Sequence, residues 1–272
     1  MLSIWHWHTE PFLVGGILAV VWLYAMLVGP LRNKLDPEAE IPRVEIVWFT
    51  FAVITFYGAV GSPIDAAGEN FLFSAHMFQH NILMYLTAAF SVLALPGWFV
   101  DGLLDRARWS IPFFRVLFHP VIAGFLFTFV FYGWHAPALY EWALHNKVVH
   151  TFEHLSMLGT SIIMFWPMLS RSRTLPQSNL GSQILYLFVL MVAQIPLFGL
   201  LTFAEHPLYP TYEYAPRLIE GFDPLSDQVF GGLLMKVANM ILSLILMGYA
   251  FFRWNAQSLR TERPSRVETH RR

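Results

Sequence analysis

The sequence predicts an all-α integral membrane protein: a bundle of seven transmembrane helices, amino terminus outside and carboxyl terminus cytoplasmic. Three observations carry this. Of 272 residues, 56% are hydrophobic and only 13% are charged, with a mean hydropathy of +0.50. A soluble domain is about 25% charged, so a compact chain of this composition could not cover its surface with polar groups. Seven apolar runs approach or exceed the length of about 20 residues that a helix needs to cross a bilayer. The basic residues between those runs are sorted to one side. This composition excludes a soluble enzyme, a disordered chain and a nucleic-acid binder. The absence of cysteine excludes disulfides, thiolate metal sites, iron–sulfur clusters and thiol catalysis.

The runs fall at 11–31, 44–62, 71–96, 116–135, 148–169, 181–204 and 228–252. Only helices or closed barrels satisfy every backbone group in lipid. Barrel strands would be about ten residues long and alternating, so these runs are helices. No basic residue precedes the first run and no A-x-A-like site follows it, which predicts a retained helix rather than a cleaved signal. One set of connections holds Arg32, Lys34 and Arg43; Arg106, Arg108 and Arg115; Arg171 and Arg173; and the basic stretch from Arg253. The opposite set holds only Lys147 and Arg217, while Lys236 lies inside the last run. Basic connections stay cytoplasmic, which fixes the expected orientation. Residues 1–256 thus form the seven-helix domain. Residues 257–272 form a basic polar cytoplasmic tail, solvated or against lipid headgroups. The connection from Glu205 to Ser226 carries four prolines and is expected to be a stiff outer cap.

Histidine is sorted as well. His119 and His270 fall on the cytoplasmic side. His6, His8, His76, His80, His135, His145, His150, His154 and His206 fall on the outer side. Two pairs have i, i+4 spacing: His76 with His80 at the start of the third run, and His150 with His154 at the start of the fifth. Such rings share a helix face, about 6 Å apart along the axis. Gln79 and Glu153 each precede the second histidine of a pair. An unpaired charge at Glu153 inside a bilayer would cost about 3 kcal/mol. Met84 extends the first pair into an i, i+4, i+8 stripe, and Met157 lies three residues beyond His154. Imidazole suits copper, zinc and iron, and thioether selects copper(I). His135, at the outer end of the fourth run, is a fifth imidazole.

Blander roles compete with this one. Histidines pack helices, and methionine fills cores. His6 and His8, in Trp5-His6-Trp7-His8, are expected to be an interfacial anchor, with metal capture as the alternative. His145 and His206 are expected in solvent. His150 to His154 also reads H-x-x-E-H, a peptidase pattern that needs a further acidic ligand and a cleft. Asp227 is expected to cap the last helix. Lys236, nine residues on, either reaches the outer interface or pairs with Glu153.

At these residues the chain resembles a known family, the CtaG-type cytochrome c oxidase assembly factors of the caa-type oxidase branch. Four stretches carry the likeness: SPIDAAGENFLFSAHMFQH from Ser62; YGWHAPALYEWAL from Tyr132, continuing through VVHTFEHLSML to Pro167; HPLYPTY from His206; and DQVFGG from Asp227. They span most of residues 60–235 in the family's order. This chain has Lys236 where an aromatic is common in the family. The resemblance implies a multi-pass protein of the bacterial cytoplasmic (inner) membrane, needed to make active haem–copper oxidase through copper handling. It carries over His76, His80, His135, His150 and His154, with Glu153 and Gln79 beside them. The implied partners are the lipid bilayer, a subunit of the haem–copper oxidase and a periplasmic or other extracytoplasmic copper donor. No enzymatic activity and no nucleic-acid partner are expected. Zinc is the alternative ion. The rival roles are a metal-independent scaffold or accessory subunit, and a histidine-rich membrane metalloenzyme. The second rival usually needs more histidines, facing the cytoplasm.

Overall fold

The computed structural model describes residues 5–36 and 38–262. Regular structure among them is helical throughout. In chain order the helices are α1 (Pro11–Leu35), α2 (Arg43–Val60), α3 (Pro63–Asn70), α4 (Phe73–Leu93), α5 (Gly97–Arg106), α6 (Arg108–Leu117), α7 (Pro120–His135), α8 (Pro137–His145), α9 (Lys147–Leu169), α10 (Leu180–Thr202), α11 (Pro210–Tyr214) and α12 (Pro224–Glu262).

Where the sequence predicts seven crossing helices, length and composition qualify four: α1, α2, α10 and α12. Two more qualify as bent pairs, α4 with α5 at 76° and α6 with α7 at 64°. The helix α9 is 23 residues long but is not among them; its first two turns carry His150, Glu153 and His154. The basic stretch 97–115, expected as a connection, is largely helical in α5 and α6. Pro96 and Pro120 stand at the N-cap of α5 and the first turn of α7, where a missing N–H does no harm, and the chain bends there. The expected boundary at 256 does not end the last helix, which continues to Glu262; residues 263–272 of the expected tail lie outside the described residues.

α1 is apolar and buries none of its residues, the pattern of a helix covered by lipid. Its π-helical turn at Leu27–Leu31 accommodates Pro30, which lacks an N–H and crowds the preceding turn. The centre of the bundle is α4, which packs on α12, α3, α2 and α9, while α9 also packs on α7 and α8. Close approach needs small residues. At Gly231 of α12 a Cβ would stand 2.5 Å from Phe73 Cδ1.

The arginine-rich end is closed by hydrogen bonds. Asp101 of α5 accepts from the Ser172 hydroxyl at 2.5 Å and from the backbone N–H groups of Arg173 and Thr174 at 3.0 and 3.1 Å. Ser170 Oγ donates to the Leu175 carbonyl at 2.7 Å, and Arg171 pairs with Glu45. Burial alone would raise the Asp101 pKa, but these donors outweigh it and hold the carboxyl below its ordinary value of 3.8.

Candidate metal centre

Three helix ends place the histidines. α4 begins at Phe73 because Asp227 accepts the N–H groups of Phe73 at 2.6 Å and Ser74 at 3.1 Å. Asp227 therefore caps α4, not its own helix as expected. Asp223 takes that role, accepting from the Leu225 and Ser226 N–H groups at 3.0 and 3.1 Å. α9 begins under Asn146, whose side chain accepts from Val148 and Val149 at 3.0 and 3.2 Å. α7 ends at His135 because Pro137 holds Ala136 in an extended conformation. Gly68 lets α3 lie directly on α4: a Cβ there would be 2.9 Å from the Cα of His76.

These starts bring both predicted pairs together. The rings of His76 and His80 are 4.2 Å apart, as are those of His150 and His154. His76, His80, Glu153 and His154 are all buried, and each offers one ligand atom within 4.8 Å of the others. Glu153 Oε1 lies 3.9 Å from His76 Nε2 and 3.8 Å from His80 Nε2. Those separations are too long for hydrogen bonds.

The two remaining imidazoles flank this group. The His150 ring is 5.4 Å from that of His76, and the His135 ring is 6.4 Å from that of His80. Each spends Nδ1 elsewhere. His150 Nδ1 is 2.8 Å from Glu69 Oε1, and His135 Nδ1 is 2.6 Å from the Phe131 carbonyl. A carbonyl oxygen only accepts, so His135 carries its proton on Nδ1 and leaves Nε2 a free lone pair. A carboxylate on Nδ1 does the same for His150, the arrangement that orients metal-binding histidines.

The result is a concentration of unsatisfied atoms. Nε2 of His76, His80, His135, His150 and His154 and both oxygens of Glu153 are buried without a hydrogen-bond partner. Buried polar side chains are nearly always partnered, and each orphan costs about 1–3 kcal/mol. Imidazole and carboxylate are donors for copper, zinc or iron, so the residues fit a cation.

The other residues that the sequence singles out lie as follows. Met84 and Met157 are buried in the apolar core. α4 is π-helical from Ile82 to Thr87, so the straight stripe from His76 through Met84 is broken after His80. Lys236 does not pair with Glu153; α12 packs along α10 there, and Lys236 Nζ donates to the Met191 carbonyl at 2.9 Å. His145 and His206 are exposed.

A tyrosine lid covers the group, built largely by the proline-rich connection. The Tyr140 ring is 5.3 Å from that of His76. Tyr212 donates to the Gly68 carbonyl at 2.7 Å and so accepts from Tyr140 at 3.0 Å. Tyr209 donates to the His135 carbonyl at 3.0 Å. The connection is tied down further by Glu141, which accepts from the Thr211 hydroxyl at 2.6 Å. Sequence reasoning missed Glu69 and these tyrosines. The signal was present: Asp65 and Glu69 have the same i, i+4 spacing as the histidine pairs.

Fold and site define a helical protein, with several helices apolar and long enough to cross a membrane, that buries a histidine–carboxylate group at one end of its bundle. Residues 22–257 match the family of cytochrome c oxidase caa3 assembly factors, and the chain belongs to that family. The match contains every residue of the buried group. No curated protein and no solved structure matches the chain.

Proposed function

We propose that this assembly factor binds copper as cargo at His76, His80, Glu153 and His154 and delivers it to a subunit of the haem–copper oxidase. The supporting observation is the set of buried, unpartnered Nε2 and carboxylate atoms. His150 and His135 stand by as further imidazoles. Met84 and Met157 lie buried on the same helices, and thioether is the donor that copper(I) favours. α5 and α6 lie at the arginine-rich end, and the four long helices with α4, α7 and α9 make seven spans. Their histidine end faces outward and their arginine-rich end faces the cytoplasm, as basic residues prefer. In this orientation the ion passes to its acceptor within the membrane, having come from an extracytoplasmic donor.

The test is metal content. The protein in mild detergent is loaded anaerobically with copper(I) in the presence of a competing chelator. It is compared with a variant carrying His76, His80, His150 and His154 all as alanine. Copper on the parent and none on a folded variant is the expected result. Negligible copper on both would sink the proposal and leave a metal-independent scaffold. Zinc that copper cannot displace would change the cargo.

A further inference from the structure

The histidine end of the bundle carries a second set of ligand-type side chains, at its surface. His6, His8 and Glu10 each offer one ligand atom within 4.8 Å of the others. His6 is exposed, while His8 and Glu10 are half-buried. The segment is held in place. The His8 N–H donates to the Gly61 carbonyl at 2.8 Å, the Tyr57 hydroxyl donates to the His8 carbonyl at 3.2 Å, and Trp7 stacks on Tyr57. His8 Nδ1 lies 2.8 Å from Glu10 Oε1. Its Nε2 is buried without a hydrogen bond and faces Asp65 Oδ2 at 3.1 Å.

Asp65 opens a polar path inward. Glu69, four residues on, shares its face of α3. Glu69 holds His150 at 2.8 Å, and the His150 ring is 4.2 Å from that of His154 in the buried group. Imidazoles and carboxylates thus follow one another from the surface to the centre. A run of carboxylates draws a cation inward and raises its local concentration. Residues 6–10 precede residue 22, where the family match begins.

We propose that His6, His8 and Glu10 form a surface cation site that collects copper and feeds it past Asp65, Glu69 and His150 to the buried group. The feeding role rests on the function proposed above; the surface site does not. The ion keeps its oxidation state throughout. Lys147 opposes capture, because its Nζ stands 3.7 Å from Glu10 Oε1 and competes for that carboxylate.

The experiment uses the full chain in mild detergent with copper(I) as the probe. Without a chelator the parent binds two coppers, and the His6→Ala/His8→Ala variant binds one. Loading of the buried group, timed by the colour change of a chromophoric copper(I) chelator, slows about tenfold in that variant. Lys147→Gln tightens the surface ion. Parental stoichiometry in the double variant overturns the surface site. A parental loading rate overturns the feeding role. If the buried group binds no copper, the parent holds one ion that the double variant loses; that result overturns the cargo site above and supports the surface site.

Discussion

The two ends of the bundle bury polar groups to opposite effect. At the arginine-rich end Asp101 accepts three hydrogen bonds, and the hydroxyls of Ser170 and Ser172 are both engaged. At the histidine end Glu153 is more deeply buried and accepts none. Polar atoms buried for stability are satisfied within the chain. Polar atoms left unsatisfied in one place keep their lone pairs for something else. The tyrosine lid makes the contrast sharper, since the chain satisfies Tyr140, Tyr209 and Tyr212 within reach of the orphaned imidazoles.

The largest expected effect breaks the histidine end. Gly68→Ala places a methyl group against the backbone of His76, which cannot rotate away. The expected loss is about 3 kcal/mol of stability, with weaker copper binding, measured by thermal unfolding and copper titration. Unchanged copper affinity would show that the approach of α3 does not shape the group.

A matched pair of carboxylate-to-amide changes sharpens the comparison. Asp101→Asn weakens bonds to three donors and costs about 1–2 kcal/mol, discounted for partial exposure. Glu153→Gln replaces a buried carboxyl group that accepts no hydrogen bond, so the copper-free protein keeps its stability within about 1 kcal/mol while losing copper affinity. Equal destabilisation by both would erase the distinction between the ends. The Asp101 contribution also has a pH signature. Its folded pKa lies below 3.8, so its stabilisation is complete above that value and is lost as pH falls through the folded pKa. The stability gap between parent and Asp101→Asn should close in that acid range.

The smallest effect concerns the lid. Tyr212→Phe removes bonds to Tyr140 and Gly68, costs about 1 kcal/mol and leaves copper stoichiometry intact. Faster copper release to a chelator is the expected readout, and an unchanged rate would show that the lid does not control escape.

Much of this was legible in the residues. The apolar runs announced the helices, and the i, i+4 spacing of His76 with His80 and of His150 with His154 announced the paired rings. Glu153 followed from its place on the same turn. What stayed hidden depends on contacts distant in sequence. Asp227 caps a helix that begins 154 residues earlier, which no local pattern encodes. Glu69 fixes His150 from another helix. The helical state of 97–106 was masked by its charge, which marks a connection by composition even where the backbone is regular. The seven-run count was less secure at α9, whose polar first turns belong to the site.

The π-helical turn at Ile82–Thr87 gives α4 two phases. A π turn holds more residues than an α turn, so the half beyond it is rotated relative to a continuous α-helix. His76 and His80 can keep their alignment with α9 while Ala88 and Val92, further along, meet the core on a different meridian. Inserting one residue into the α-helical turn beside that stretch would swing the imidazoles by about 100° relative to the rest of the helix. The length of α4 is thus tuned as an angle.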